Sequence, residues 1–410
     1  MKSVLFISYD GMTDNLGQSQ VIPYLIGLRK KGYEIHILSC EKQNVYAQRK
    51  EVISELLSVN KIYWHPIKYT PSPQVISTLK DIKNLKKTAS QIVVKHNINL
   101  LHCRSYISAR IGMYIQKKFS IPWIFDMRGF WADERVEGGI WNLRNPLFKT
   151  IYKHFKRKEQ RFIANANHII SLTKNGKNEI EKWSSHKQNK AEISVIPCCA
   201  DLDYFSFENI SKEVKTATRT ELSIEKSSFV LSYLGSFGTW YMTEEMFEFF
   251  AVFHKKNPDS VFLCITPDNP TLLQNVAKSK GVSADSLRII KANREDVARY
   301  ASVSNWSMFF IKPVYSKKAS SPTKMGELLG LGIPLICNNN VGDVEEIMQS
   351  CSTGQVVSEF SIQSYSKITD AVLSTKDYKK EDLRKVAEHV YSLENGVEMY
   401  SKVYEKLLCE

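Results

Sequence analysis

The chain has 410 residues, of which 43% are hydrophobic and 24% are charged, and this composition excludes a disordered or collagen-like protein. No apolar stretch approaches the roughly 18 consecutive residues of a transmembrane helix, and we expect the short apolar run near the start to be a strand rather than a secretion signal. Residues 1–200 carry 32 Lys and Arg against 15 Asp and Glu, a net +17, whereas residues 201–410 carry 24 against 28, a net −4. A basic first half attracts phosphates, whether of nucleic acid, lipid or small molecules.

Eight cysteines are spread along the chain, at positions 40, 103, 198, 199, 264, 337, 351 and 409. None forms a C-x-x-C pair or has a histidine at the usual zinc-binding spacing, so the pattern favours reduced thiols in a cytosolic protein. We therefore expect a cytoplasmic protein without a metal site.

The first half of the sequence alternates short apolar runs with stretches of helical periodicity. A lysine-rich helix is predicted near 75–96 and a long helix over 145–166. Strands that alternate with helices of this length indicate right-handed βαβ units and a parallel sheet. The strands predicted here are 4–9, 33–40, 98–103, 122–127 and 167–173.

The same pattern restarts in the second half of the sequence. Helices are predicted over 242–256 and 295–303, and a further helix begins near Thr323. A final amphipathic helix supplies an apolar packing face. The strands predicted here are 193–197, 228–235, 260–266, 287–292, 306–313 and 333–338.

This repetition predicts an α/β protein of two doubly wound, Rossmann-like domains that face each other across a central cleft. Ligands of such sheets bind outside the carboxyl ends of the strands, so we look for function in the loops that follow the strands. The predicted boundaries are 1–195 for the first domain, 196–225 for a linker, 226–385 for the second domain, and 386–410 for a C-terminal helix that could pack back on the first domain.

The loop after the first strand, residues 10–20, contains Gly11 and Gly17. It lacks the G-x-G-x-x-G pattern of dinucleotide sites, which argues against a nicotinamide or flavin enzyme. Gly17 precedes a predicted helix and would let backbone amides approach an anion. A plain turn between strand and helix is the alternative.

The segment SSPTKMGELLGLGIPLICN, residues 320–338, opens a predicted helix with N-cap residue types and a proline. Free amides at such a helix start can hold a phosphate. Lys324 and Glu327 share one face of that helix, where the lysine would neutralise a diphosphate and the carboxylate would bind a ribose diol. An ordinary capped helix with an ion pair is the alternative.

The motif S-P-T-K-x-G-E-x-L-x-x-G-I-P-L-I in this segment resembles the donor-site signature of retaining glycosyltransferases of family 4, which have the two-domain GT-B fold. Further blocks resemble the family in the same order, among them LGQSQVIPYLIGLRKKGYEIHILSC, ISLTKNGKNEI, VIPCCADLDYF and YLGSF. The resemblance implies transfer of a hexosyl or N-acetylhexosaminyl group from a UDP- or GDP-sugar to a glycan or lipid-linked glycan. It further implies retention at the anomeric carbon, no metal or other cofactor, and a place in surface polysaccharide biosynthesis.

Two departures from the family pattern concern the donor site. Ala319 stands where the family has the first of two glutamates, and no cation follows Gly235 at the opening of the second domain. Lys324 and Lys312, with the amides of 320–323, are the expected substitutes, although an inactive relative would show the same losses. The donor-binding set that the resemblance implies is Gly17, Gly235, Ser236, Lys312, Ser320, Ser321, Thr323, Lys324 and Glu327.

The segment FDMRGFWADER, residues 125–135, follows a predicted strand and is dense in charged and aromatic side chains. Related transferases often carry a histidine beside the donor sugar at this strand end, and Asp126 occupies that place. A salt-bridged surface loop is the alternative, and His102 is a secondary candidate. We expect Asp126, Arg128 and Lys324 to be catalytic, and Arg104 and Trp131 to bind the acceptor.

A basic helix is predicted within 145–162, where six Lys and Arg residues accompany aromatic ones. Such a helix can lie on an anionic membrane surface, or it can pack its aromatic face inward. Peripheral attachment of a cytoplasmic enzyme to the membrane is thus left open, and no nucleic-acid partner is expected. Asp201 and Asp203 form a D-x-D sequence in the predicted linker, and we do not expect them to bind a metal.

Two alternatives to a transferase remain at this point. One is a non-catalytic binder of sugar nucleotides or nucleic acid, and the latter would need basic and aromatic side chains on one continuous face. The other is a nucleotide-sugar epimerase of the same fold, which would convert the donor with no acceptor present.

Overall fold

The computed structural model describes residues 2–375 and 378–409. The chain divides into two compact units, which we call the first unit (Met1–Cys198 with Leu393–Glu410) and the second unit (Cys199–Ser392). Each unit contains one parallel sheet with helices between its successive strands. The predicted class of two Rossmann-like α/β domains is therefore confirmed.

The first unit begins with a buried apolar strand and alternates strands and helices up to residue 195. Its elements are β1 (Ser3–Ser8), α1 (Asn15–Gln20), α2 (Ile22–Lys30), β2 (Glu34–Glu41), α3 (Gln43–Val59), β3 (Tyr63–Lys68), α4 (Gln74–His96), β4 (Leu100–Arg104), α5 (Ser105–Phe119), β5 (Trp123–Asp126), α6 (Trp131–Glu137), α7 (Pro146–Asn165), β6 (His168–Ser171), α8 (Lys174–Glu181), α9 (Ser184–Asn189) and β7 (Glu192–Val195).

The sheet of the first unit has seven strands in the order β3-β2-β1-β4-β5-β6-β7. Every residue of β1, β4, β5 and β6 is buried, as expected for parallel strands covered by helices on both faces. The chain order reverses between β1 and β4, and such a switch point places ligand-binding loops at the carboxyl ends of those strands.

The second unit repeats this architecture with six strands in the order β10-β9-β8-β11-β12-β13. Its elements are α10 (Lys212–Glu221), β8 (Val230–Leu234), α11 (Thr243–Lys256), β9 (Val261–Ile265), α12 (Pro270–Ser279), β10 (Leu287–Ile290), α13 (Arg294–Ala301), β11 (Trp306–Phe309), α14 (Thr323–Gly330), β12 (Leu335–Asn338), α15 (Val344–Ser350), β13 (Gly354–Val357), α16 (Ile362–Ser374) and α17 (Lys380–Tyr391). Short 3-10 turns lie at Phe207–Asn209, Ala284–Ser286 and Tyr315–Ala319.

The last helix, α18 (Leu393–Cys409), returns to the first unit. It packs against α2 and β4, and Val397 fills the space beside Gly27, where a Cβ would lie 2.4 Å from a Val397 methyl carbon. The predicted element 386–410 is therefore two helices that belong to different units, because α17 packs on α14 of the second unit. Residue 410 lies outside the described residues.

The predicted linker 196–225 is largely packed onto the second unit. Phe205, Leu222 and Ile224 are buried in the hydrophobic core of the second unit, and α10 lies between them in sequence. The boundary of the first unit at residue 198 lies close to the predicted residue 195.

Three further local expectations need correction. Neither α3 nor β3 was predicted from the sequence, and residues 131–137 form α6 rather than a loop.

The eight cysteines are free thiols, six of them buried. Among the described helices, none combines the length and the apolar character that crossing a membrane requires.

Candidate functional site

The carboxyl ends of β8 and β11, two neighbouring strands of the second unit, lie beside the start of α14. Gly235 directly follows β8 and has a φ of +116°. A Cβ at this position would lie 2.9 Å from Nζ of Lys324. Glycine is therefore required here both by the backbone conformation and by the closeness of the lysine.

Lys324 is enclosed by aromatic rings. Its Nζ lies 3.8 Å from the ring centre of Tyr241, 4.3 Å from that of Tyr233 and 5.8 Å from that of Phe309. The ammonium is buried and has no hydrogen-bond partner among the described residues, and this burial lowers the pKa of Lys324 to about 7. An uncompensated buried cation of this kind favours an anionic partner.

Helix α14 starts at Thr323, and its N-cap residue is Pro322, which makes no side-chain capping hydrogen bond. The first amides of a helix have no intrahelical acceptor, and the helix dipole adds to their preference for an anion. Ser320 and Ser321 precede this turn and are partly exposed. The predicted N-cap types thus lie at the helix start, although a proline occupies the cap position itself.

Glu327 lies one turn further along α14 and is 7% exposed. Burial raises the pKa of Glu327, and the guanidinium of Arg294 opposes this effect. Nη1 and Nη2 of Arg294 each lie 3.4 Å from Oε1 of Glu327. Arg294 was not predicted as a site residue. Its position at the start of α13, directly after a strand and a polar loop, is one where ligand-binding side chains are expected.

Two loops of the second unit are joined near Lys312. Its backbone N–H donates to the carbonyl of Trp240 at 2.9 Å, and its side chain is exposed. The sequence analysis overlooked Lys317, whose Nζ lies 3.7 Å from the ring centre of Trp240. Ser236 is exposed, and its carbonyl accepts a hydrogen bond from the Tyr233 hydroxyl.

Ala319 is 2% exposed, and it offers no carboxylate where related enzymes have the first glutamate. The residues that the structure brings together here are Gly235, Lys324, Glu327 and Arg294, with the start of α14 beside them. Lys312 and Ser236 lie on the neighbouring loops.

Gly17 of the first unit lies inside α1, which begins at Asn15, whereas the helix was predicted to start after Gly17. A Cβ on Gly17 would lie 2.3 Å from the carbonyl oxygen of Gly11, so its absence is needed for the loop to pack against the helix. The nearby amides of Met12 and Thr13 donate to the carboxylate of Glu41 at 2.8 and 3.2 Å. The structure thus gives Gly17 a packing role, and its expected role at a phosphate stays a prediction.

Asp126, at the end of β5, is 2% exposed and belongs to an internal network of the first unit. Its Oδ2 lies 3.3 Å from Nε2 of His102 and accepts from the Tyr400 hydroxyl at 3.3 Å. Nη1 of Arg128 lies 3.8 Å from Oδ1, and Nη2 donates to Sγ of Cys198. Burial alone would raise the pKa of Asp126, but the Arg128 cation and the hydrogen bond from His102 bring it below its usual range.

This burial argues against the alternative of a salt-bridged surface loop at Asp126. Tyr400 belongs to α18, so the C-terminal helix covers the carboxylate. His102 is similarly occupied, since its Nδ1 lies 2.7 Å from the hydroxyl of Tyr404. The catalytic role expected for Asp126 and Arg128 stays a prediction, and the geometry favours a positioning role inside the first unit.

The two predicted acceptor residues differ in their surroundings. Arg104 is 6% exposed and ion-paired with Asp10. Trp131 packs against Phe155 with ring centres 4.8 Å apart and lies over Arg135. Trp131 also lines a cavity of about 490 Å³ within the first unit. The other lining residues include Tyr9, Tyr69, Ile107, Arg110, Arg135, Ile140, Trp141 and His154.

The basic helix α7 has an outer and an inner set of charges. Lys156 is ion-paired with Asp133 and Glu159 and lies over the ring of Trp183. Lys156 is therefore part of the packing of α7 against its neighbours. It does not belong to the exposed basic face that the sequence predicted as one possibility for 145–162. The exposed basic residues of α7 are Lys149, Lys153, Arg157 and Arg161.

Comparison with protein families gives a match for the first unit. Residues 21–204 match the model described as Glycosyltransferase Family 4. This part of the chain is therefore similar to glycosyltransferase family 4. The predicted resemblance to this family is thereby confirmed, while a comparison with curated protein sequences found no match.

Solved structures of glycosyltransferases are similar to this chain over its whole length. Sucrose-phosphate synthase from Thermosynechococcus elongatus has a TM-score of 0.74 at 14% identity, with all of both chains covered. HepE from Anabaena, solved with UDP and glucose, has a TM-score of 0.70 at 11% identity, covering 99% of this chain and 100% of that one. A putative UDP-N-acetylglucosamine 2-epimerase from Listeria monocytogenes is less similar, with a TM-score of 0.57 at 12% identity and coverages of 97% and 94%. At these identities the likeness shows the GT-B fold alone.

Proposed function

We propose that this chain transfers a glycosyl group from a nucleoside diphosphate sugar to a hydroxyl of a glycan or lipid-linked glycan. The observation that carries the proposal is the buried, unpaired ammonium of Lys324 against Gly235, beside the start of α14. A family 4 domain in the first unit and a neighbour solved with UDP and glucose support a nucleotide sugar as the donor.

The diphosphate binds at the start of α14 in this proposal. Negative charge accumulates on the leaving diphosphate as the bond to the anomeric carbon breaks. The amides of α14 and the Lys324 cation stabilise this charge, and they are already in place before the reaction. The aromatic rings around Lys324 lower the local dielectric constant, and this strengthens the attraction of the ammonium and of the helix amides for the diphosphate.

Glu327 binds the ribose hydroxyls of the donor. Arg294 holds the carboxylate in one orientation from the amino end of α13 and lowers the cost of its burial as an anion. Lys312 and Lys317 add positive charge from the neighbouring loop. These cations stand in for the Arg and Lys that other family members place after the glycine.

The finer parts of the proposal follow the family resemblance. They are a UDP- or GDP-linked hexose or N-acetylhexosamine, retention at the anomeric carbon, transfer without a catalytic metal, and a role in surface polysaccharide biosynthesis. The acceptor binds to the first unit, where Trp131 and Arg135 line the aromatic cavity. The exposed basic residues of α7 would place a cytoplasmic enzyme against an anionic membrane surface that holds a lipid-linked acceptor.

The experiment that tests this function is a ligand screen followed by a reaction assay. UDP, GDP, ADP and NAD are compared for their effect on the melting temperature, since a ligand that binds only the folded state raises it. We expect a rise with one of the nucleoside diphosphates and none with NAD. A lack of response to every nucleoside diphosphate would contradict the proposed donor site.

The reaction assay separates transfer from epimerisation. The donor identified in the screen is incubated with and without a glycan acceptor, and the sugar products are resolved by chromatography. Transfer requires the acceptor, whereas conversion of the donor sugar to an epimer in the absence of acceptor would favour the epimerase alternative. Binding with neither reaction would favour a non-catalytic sugar-nucleotide binder.

A further inference from the structure

Three histidines from three different elements meet in the first unit. His36 lies in β2, His65 in the neighbouring strand β3, and His96 ends α4. His36 pairs with Tyr63 in the ladder, so His65 stands two residues further along β3 and projects from the same face of the sheet. The nitrogen atoms that the three rings offer all lie within 4.8 Å of one another.

The spacing of the two strand histidines suits a shared metal ion. Nδ1 of His36 lies 3.1 Å from Nε2 of His65. Two nitrogens that each bind a tetrahedral zinc at about 2.05 Å stand roughly 3.3 Å apart. A zinc ion would therefore need only a small outward movement of the two rings.

Glu34 makes a hydrogen bond with Nε2, the second ring nitrogen of His36. Its Oε1 lies 3.1 Å from Nε2 of His36 and also accepts from the hydroxyl of Ser3 at 3.1 Å. A carboxylate on the far nitrogen of a histidine fixes the tautomer and leaves the near nitrogen free to bind metal. The ring of Tyr63 stacks on His36 at 4.7 Å and holds its orientation.

A hydrogen bond between His36 and His65 alone would account for two of the three rings. It would not account for His96, whose ring centre lies 4.3 Å from that of His36. The imidazole of His96 makes no hydrogen bond to any residue within 2–375 and 378–409, and it contacts the other two histidines only through its ring. A third imidazole thus joins the pair without a polar contact of its own.

We propose that His36, His65 and His96 bind one divalent transition-metal ion, with Glu34 orienting His36 and water completing the coordination. Three imidazole ligands select zinc, cobalt, nickel or copper over magnesium and calcium, which prefer oxygen. The site lies near the amino ends of β2 and β3, the opposite edge from the carboxyl-end loops. Its role is to join the edge strand β3 and the end of α4 to the rest of the sheet.

This inference departs from the expectation of no metal site. The sequence offers no zinc motif, because the histidines come from elements about thirty residues apart along the chain. The site is independent of the proposed transfer reaction, whose cations belong to the second unit.

The test uses the full chain without a histidine tag, stripped of metal with a chelator. Cys351 and Cys409 are exposed and are replaced by serine throughout, because free thiols also bind zinc. Zinc is titrated in competition with a chromophoric indicator, and magnesium is titrated as the comparison. We expect one zinc per chain and no competition from magnesium.

Variants then assign the ligands. His65 and His96 are partly exposed, so His65→Gln and His96→Gln should fold, which circular dichroism checks. Each should weaken zinc binding by more than the roughly 10- to 100-fold that an outer-shell change such as Glu34→Gln costs. His389→Gln, at an exposed position of α17, should leave the affinity unchanged.

Cobalt supplies a second readout. Cobalt bound by three imidazoles and water gives the visible bands of a tetrahedral ion, and these should disappear in His96→Gln. Absence of zinc binding by the parent chain, or binding that both histidine variants retain at full affinity, would overturn the proposal.

Discussion

Lys324 and Gly235 lie in direct contact, with Nζ of the lysine 2.9 Å from the position of a Cβ at residue 235. The glycine thereby lets a cation approach the backbone at the carboxyl end of β8. The proposed donor site depends on this contact.

Gly235→Ala should displace the ammonium and weaken nucleoside diphosphate binding by at least tenfold, since a charged hydrogen bond contributes about 1.5–3 kcal/mol. The alanine also strains a backbone with a φ of +116°. Gly281→Ala is the matched control, because Gly281 has a φ of +77° and open space around its Cβ position. Both variants should lose stability through strain, and calorimetry should show lost nucleotide affinity only in Gly235→Ala. Equal affinity in the two would remove Gly235 from the site.

Lys324→Met should reduce transfer by about 100- to 1000-fold, the usual effect of removing a preorganised group that stabilises transition-state charge. The same change replaces an unpaired buried ammonium with an apolar side chain, so unfolding free energy should stay the same or increase by about 2 kcal/mol. Lys367→Met, at an exposed position of α16, should alter neither quantity. Urea denaturation and initial rates measure the two effects. A large loss of stability together with full activity would contradict both parts.

Binding of a nucleoside diphosphate should take up protons at alkaline pH. The pKa of Lys324 is lowered to about 7 by burial, so at pH 8 the side chain is largely neutral in the free protein. An anionic ligand favours the charged form and raises this pKa, which requires proton uptake at pH 8 but little at pH 6. Titration calorimetry in buffers of different ionisation enthalpy measures the uptake as the difference between the parent chain and Lys324→Met. No difference between the two would show that the ligand does not interact with Lys324.

The depressed pKa of Lys324 also gives a stability effect with a defined sign. The unfolded chain binds this proton below about pH 10.4, whereas the folded chain releases it above about pH 7. The unfolded state therefore binds more protons between these values, and the contribution of Lys324 to stability rises with pH across that window.

Glu327→Ala should abolish discrimination for the ribose hydroxyls. The parent chain should prefer UDP or GDP over the corresponding 2′,3′-dideoxy nucleotide by about tenfold or more, as expected for the loss of hydrogen bonds to a charged group. In Glu327→Ala the two nucleotides should bind with similar affinity. Arg294→Gln should reduce the preference only partly, because the carboxylate remains but loses its orienting partner. An undiminished preference in Glu327→Ala would place the ribose elsewhere.

The triple variant Lys149→Gln, Lys153→Gln and Arg157→Gln should weaken binding to vesicles that contain anionic lipid. Each basic residue near such a surface contributes about 1 kcal/mol, so the partition coefficient should fall roughly 100-fold. The control removes three charges from exposed positions of the second unit, namely Lys255, Lys278 and Lys367. Co-sedimentation with vesicles measures the binding of both variants. An equal loss of vesicle binding in the two would mean that binding depends on the net charge of the protein and not on α7.

The sequence predicted the two sheets well because their strands are short, apolar and separated by helices of regular period. It failed at β3, whose residues are half-exposed and include Pro66, as is common in an edge strand. It also misjudged 199–225, because the buried positions Phe205 and Ile224 are scattered among polar residues.

The donor-site motif was readable because Lys324 and Glu327 lie close together in one helix. The contact of Arg294 with Glu327 could not be predicted in this way, because the two residues are 33 positions apart in the chain. The aromatic enclosure of Lys324 by Tyr233 and Tyr241 likewise arises only when separate strand ends come together. Burial of Asp126 beneath Tyr400 depends on a residue 274 positions away in the chain, so the sequence around Asp126 could not predict it.

Helix α18 has a consequence for how the protein is made. Tyr400 and Tyr404, which cover Asp126 and His102, are synthesised after every residue of the second unit. Synthesis therefore delivers the entire second unit before the first can complete its interior. The carboxylate of Asp126 therefore stays uncovered in the nascent chain until α18 has been synthesised.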